Sequence, residues 1–249
     1  MRETDMPRLV EEAGFIFRGR VVRHGTTDAN LMTAAAGKIV TVEIEEIFLS
    51  ADGLSGLVGK EAIVVTENAA EIQEGATRVF FTNIVSLANH LVVREVGHIE
   101  ASHATVRATE NSVRTAAERP LLQRVAGASL IITGRVISRR PVDPNAIRKS
   151  EHDPDWWIAR VEVLSVVKGG KAGSAVDVLF ANSRDIAWYK SPKLEEEARG
   201  ILLLRRVNED EVPQEVARRS YQAIEPLDFL PLERLPDVER ALDQYRGGS

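Results

Sequence analysis

Apolar and polar residues alternate along much of the chain. Val40, Val42 and Ile44 fall on one side of an extended segment, with Thr41, Glu43 and Glu45 on the other. Period-two spacing of this kind predicts a half-buried strand. Strand-like runs of the same kind are separated by turn residues, most clearly Asp52-Gly53 and Lys168-Gly169-Gly170. The runs also recur in order, about 115 residues apart. Phe15-Ile-Phe-Arg-Gly19-Arg-Val-Val22 returns as Leu130-Ile-Ile-Thr-Gly134-Arg-Val-Ile137, and Val42-Glu-Ile44 as Val161-Glu-Val163. Ile63-Val-Val65 is set against Val176-Asp-Val178. Glu74 to Phe81 is set against Glu196 to Leu203, and Leu91 to Val96 against Tyr221 to Pro226. Short helical phrases that open on Pro7 and Pro120 precede the copies, proline being suited to a first helical position.

Each copy is therefore expected to hold a short helix and about five strands. Five antiparallel strands within about 100 residues suit a closed barrel, because closure removes exposed sheet edges. The predicted fold is mainly β: two tandem five-stranded OB-like barrels, each with a short flanking helix, plus a C-terminal helix. An open β-sandwich is the alternative. Residues 1–100 are expected to form the first barrel, 101–119 a polar connector, with a partly helical one as an alternative, and 120–249 the second barrel with its C-terminal helix. That last helix has Pro236 near its start and Val238, Ala241, Leu242 and Tyr245 on one face, which is expected to close the open end of the second barrel.

The order of these motifs resembles bacterial netrin/TIMP-like domains. A strand ending in Gly134-Arg-Val136 leads to Val161-x-Val163 and Lys168-Gly169, then Val176-x-Val178, then Ile201 to Leu204. The first copy departs at Ile47-Phe-Leu-Ser50, where Lys-Gly would stand. The resemblance implies an OB-fold barrel that binds or inhibits other proteins without catalysis. Inhibitory members of that family clamp a protease metal through an N-terminal cysteine. This chain has no cysteine, so that route is not implied.

Aromatic residues sharpen the binding expectation. All three Trp and all three Tyr lie beyond residue 120. By the parity of Val161 and Val163, Trp157 and Ala159 face inward, and Trp156 and Ile158 outward. An outward Trp needs a cover: the C-terminal helix, the first barrel or a partner. Trp188-Tyr189 form a second aromatic group in the long loop before the fourth strand. Trp156, Ile158, Trp188 and Tyr189 are accordingly the expected partner-binding residues.

Other chemistries find less support. His90, His98 and His103, with Glu100, form the densest group of potential metal ligands, but a spacing of five between His98 and His103 suits no standard zinc motif. Exposed loop histidines are the plainer reading. Glu151-His-Asp-Pro-Asp155 lacks the spacing of an EF-hand. Gly169-Gly-Lys-Ala-Gly-Ser174 lies between strands, where a phosphate loop would lead into a helix. Residues 1–119 hold 12 basic and 17 acidic side chains and residues 120–249 hold 20 of each, so the net charge of −5 belongs to the first copy. An acidic chain is a poor nucleic-acid binder, since phosphate contacts supply most non-specific affinity. No apolar stretch is long enough for a membrane span, and Met1 to Pro7 carry no secretory leader pattern. The compartment is open: cytoplasm is the default, and an extracytoplasmic location is the alternative if a secretory leader has been removed from this sequence.

The expected function is a non-enzymatic protein-binding or structural adaptor module that uses no cofactor. A metal-dependent hydrolase with a site across the two copies is the enzymatic alternative, and an OB-type single-stranded nucleic-acid binder a third.

Overall fold

The structure is a computed structural model that describes residues 5–26, 37–67, 69–87, 90–142, 154–170, 172–183, 185–207 and 220–247. The chain divides into two compact units, Met1–Glu118 and Arg119–Ser249.

The first unit begins with α1 (Met6–Glu12). Its strands are β1 (Phe15–His24), β2 (Ile39–Leu49), β3 (Glu61–Val65), β4 (Thr77–Ser86) and β5 (Leu91–Glu100). They close into a barrel in the order β1-β2-β3-β5-β4, with β3 parallel to β5 and every other pair antiparallel. Alternate residues point inward. Phe15, Phe17, Val42, Ile44, Val64 and Phe80 fill the interior. Their neighbours Ile16, Val79 and Phe81 form an outer apolar layer covered by Met6, Leu9 and Val10 of α1.

The second unit repeats this plan with β6 (Leu130–Pro141), β7 (Trp156–Lys168), β8 (Ala175–Ala181), β9 (Arg199–Arg206), β10 (Ser220–Ala223) and β11 (Phe229–Leu230). The β10–β9 pairing closes the ring β6-β7-β8-β10-β9. β11 then continues the fifth strand after an interruption. In the first barrel, Phe80 faces His98 and Val79 faces Ile99. The matching Leu202 and Ile201 face Phe229 and Leu230. The interruption holds a 3₁₀ turn at Pro226–Asp228.

Register confirms the repeat residue by residue. Gly19 lies opposite Ile44 and Val21 opposite Val42, as Gly134 lies opposite Val163 and Val136 opposite Val161. The irregularities of β1 at Ile16/Phe17, Arg18/Gly19 and Val21/Arg23 recur in β6 at Ile131/Ile132, Thr133/Gly134 and Val136/Ser138. Phe17 pairs with Phe80 as Ile132 pairs with Leu202, in agreement with the sequence alignment of the fourth strands. Three other alignments shift. Ala62 and Val64 correspond to Val176 and Val178, one residue from the sequence match. Val93 corresponds to Tyr221, because each lies beside the matching residue of the third strand. Met6, Val10 and Ala13 correspond to Leu121, Val125 and Ala128 by their places in the outer layers.

The expected polar connector is a helix. α2 (His103–Gly127) is continuous, and Pro120 lies inside it instead of opening a new helix. The segment does have an apolar face. Val106, Val113 and Ala116 pack on the outer layer of the first barrel, and Thr109 lies buried among them in sequence spacing. Thr109 escapes a hydrophobicity pattern because its hydroxyl is satisfied locally, donating to Thr105 O at 2.8 Å. The missing N–H and ring clash of Pro120 cost roughly 3 kcal/mol in a helix interior, which packing on both sides of it outweighs. Beyond Pro120 the helix packs on the second unit through Leu121 and Val125.

α3 (Leu235–Gly247) buries Val238, Ala241 and Leu242. It lies against Ile131, Ile201, Leu203 and Leu230, on the outer wall of the second barrel and not in its open end. Those strand residues alternate with the inward Ile132, Leu202 and Leu204, which is why the helix meets a wall.

Candidate functional site

The aromatic residues gather on β7 and the loop that follows β8. Trp157 and Ala159 join the interior, as parity predicts. Trp156 and Ile158 face outward, where their cover is the unit itself. Ile158 is 5% exposed and packs with Val142, Leu179 and Val207, with Trp156 half-buried against the same cluster. None of the three covers expected from the sequence is needed for Ile158, so it supports this surface from beneath. The ring of Trp188 meets that of Trp156 edge-on at 6.0 Å, bringing together two expected site residues more than 30 positions apart.

The loop carrying Trp188 is held in place by its own polar groups. Asp185 Oδ1 accepts from Ala187 N at 2.9 Å, and Asp185 O accepts from Trp188 N at 2.9 Å. Lys193 Nζ donates to Ala181 O at 2.6 Å and Trp188 O at 3.0 Å, tying the loop to the end of β8. Burial pushes the Lys193 ammonium below the usual lysine range. Leu194 anchors the far side in the barrel interior. On this scaffold Ile186 is 86% exposed and Tyr189 59% exposed. Ile186 is absent from the sequence-derived set. The available signal was an isolated aliphatic residue in a polar loop, two positions before Trp188.

A second feature lies in the first unit. A cleft of about 560 Å³ is lined by Arg78, His98, Glu71, Glu100, Ser102 and Thr105, with Met6 and Ile99. β4 and β5 set Arg78 opposite Glu100 and Phe80 opposite His98. Arg78 Nε is buried without a hydrogen-bond partner. His98 Nδ1 lies 2.5 Å from Glu95 Oε1, and the two side chains are 13% and 6% exposed. Ser102 Oγ accepts from Thr105 N at 3.2 Å, and Thr105 Oγ1 donates to Glu100 O at 2.6 Å, so these hydroxyls cap the start of α2.

His98 is thus a half-buried strand residue, correcting its reading as a loop histidine. The fifth strand carries it inward beside Phe80, with ring centroids 6.0 Å apart. His90 and His103 do not join it in the cleft. Among the described residues no three His, Asp or Glu side chains gather as a metal site. Residues 151–153 of the acidic turn and Lys171 of the glycine-rich turn lie outside the described residues.

A buried ion pair fixes the interruption of the fifth strand in the second unit. Asp228 is fully buried and accepts from Arg124 Nε and from Arg124 Nη2 at 2.5 Å. It also accepts from Ile224 N and Glu225 N at 2.8 and 2.9 Å. Both its oxygens accept within the unit, which marks a structural clamp.

No protein-family model matches the chain, and no curated protein matches it.

Proposed function

We infer that the chain is a non-enzymatic adaptor of two OB-type barrels, in which the second barrel binds another protein through Trp156, Trp188, Tyr189 and Ile186. The observation that carries this reading is the exposure of Ile186 and Tyr189 on a loop whose backbone is already pinned. Apolar side chains held out on an ordered loop lose little conformational freedom on binding, which favours a protein interface. Trp156 and Trp188 supply a rigid aromatic floor of the type that concentrates binding energy. The strand order, with the third strand parallel to the fifth, supports the OB assignment in both units. The repeated Gly-Arg-Val strand supports the netrin/TIMP-like relationship, with protein binding as the family's implied role.

The test compares the wild-type chain with an Ile186→Ser/Tyr189→Ser variant as baits in extract of the source cells. Any protein recovered by wild type alone is then titrated in purified form against both. The expected result is at least ~10-fold weaker binding by the variant, or roughly 1.4 kcal/mol. Equal binding of every recovered protein by both baits would sink this assignment.

A further inference from the structure

The two barrels are an internal comparison, because each fold position occurs twice. Gly19 pairs with Arg78, and its counterpart Gly134 pairs with Gly200. Phe80 faces His98, and its counterpart Leu202 faces Phe229. Thr82 faces Glu95; its counterpart Leu204 is the neighbour of Arg205, which faces Gln222, and this places Glu95 at Ala223. Arg78, His98 and Glu95 of the first unit therefore stand where the second unit has Gly200, Phe229 and Ala223.

In the second unit this region is closed by apolar packing. The Phe229 ring lies on Gly200 so tightly that a Cβ there would strike the ring, and would come within 2.6 Å of Leu230 O. Ala223 belongs to the apolar interior. The fold is thus satisfied with no charge at these positions. In the first unit they hold a guanidinium with a buried, unpartnered Nε and a buried Glu–His pair, beside an open cleft. A buried charged donor left unpaired loses its hydration with nothing in return, which disfavours the folded state. At these three positions the second unit has no charged group to satisfy.

The charges around the cleft indicate what fits. Arg78 lines the cleft with its guanidinium, and His98 lines it with its ring held by Glu95. Glu71 and Glu100 line the cleft as exposed carboxylates. A simple anion would meet those two carboxylates, and a simple cation would meet the guanidinium. A molecule bearing both signs satisfies each wall. A volume of about 560 Å³ lies within the usual range for small-molecule sites.

We propose that this cleft of the first barrel binds a small zwitterion, of the class of free α-amino acids, with its carboxylate on Arg78 and its ammonium toward Glu71 and Glu100. The site is independent of the protein-binding surface on the second barrel.

The test uses the full chain and calorimetric titration with each common α-amino acid, with sodium acetate and methylammonium chloride as single-charge probes. At least one amino acid is expected to bind at least ~10-fold more tightly than either probe. Arg78→Gln and the paired Glu71→Gln/Glu100→Gln variant are each expected to weaken it at least ~10-fold, with the circular dichroism spectrum unchanged. The glutamates are exposed, so that variant remains informative if the arginine variant does not fold. A third variant, Arg78→Gly/Glu95→Ala/His98→Phe, installs all three of the second barrel's residues and is expected to keep the fold and abolish binding. The proposal is overturned if no amino acid binds at millimolar concentration, if acetate binds as tightly, or if Glu71→Gln/Glu100→Gln binds as wild type does.

Discussion

Gly19 and Gly134 tolerate no side chain, for the same reason in each barrel. A Cβ on Gly19 would lie 2.6 Å from Val42 Cγ1 and from Glu43 O; one on Gly134 would lie 2.6 Å from Val161 Cγ1 and 2.9 Å from Glu162 O. The carbonyls belong to the facing strand and cannot rotate away. Gly19→Ala and Gly134→Ala should each lower the unfolding free energy by about 1–3 kcal/mol, read from urea titration. The adjoining Arg20 and Arg135 pair with the matching Glu43 and Glu162 at 2.5 and 3.0 Å. Both pairs are exposed and contribute register more than stability. Asp228 is different, since it is buried under Arg124. Asp228→Asn leaves the arginine without its counter-charge and is expected to cost roughly 3–5 kcal/mol by the same measurement. Lys193 gives a pH prediction. Its folded pKa is lowered by burial, so the folded state binds fewer protons in the alkaline range between that value and the usual 10.5 of lysine. Stability contributed by this group therefore rises with pH across that window. Lys193→Met should remove this component, visible as a smaller rise in unfolding free energy than in wild type over the same range.

Elements were legible in the sequence where alternation was strict and misread where polar atoms were satisfied locally. The paired strands around Gly19 and Gly134 were aligned correctly because large inward residues mark each register. The fifth strands were not, since the second is split between β10 and β11 by the turn at Pro226–Asp228 and only four residues of its first part remain. The apolar face and continuity of α2 escaped because its stripe passes through Thr109, and because a proline near a helix start is commoner than one inside. The aromatic surface was half legible: a Trp pair shows in any composition, whereas the pinning of Ile186 depends on a lysine seven residues later. The cleft carried no motif. Its signal is the contrast between matched positions of the two copies, visible only once the register of the fifth strands is known. The extent of α2 leads to a further expectation. A fragment of residues 1–118 keeps Val106, Val113 and Ala116 over the outer layer, and a fragment of residues 1–101 bares it. The shorter fragment should be less stable by roughly 2–4 kcal/mol in denaturant titration, from lost apolar burial.

At the scale of the molecule, charge and the Trp and Tyr residues divide between the units. The acidic excess lies in residues 1–119 and the Trp and Tyr residues in 120–249. Residues 120–249 are electrically neutral, so their overall charge does not favour a phosphate backbone. Fluorescence anisotropy with a labelled single-stranded oligonucleotide at roughly 0.15 M salt should show no binding at micromolar protein. Among the described residues no helix is long and apolar enough to cross a membrane. The helices have a further consequence. α2 ends one barrel's outer layer over Ile16, Val79, Phe81 and Ile99, then begins the next barrel's outer layer with Leu121 and Val125. α3 covers the matching Ile131, Ile201, Leu203 and Leu230, the place that the first half of α2 takes in the first unit. Grafting residues 119–127 onto the end of α3 would therefore supply the opening helix of a further barrel. Each barrel is thus served by one helix that opens its outer layer and one that completes it, and α2 does both, once for each barrel.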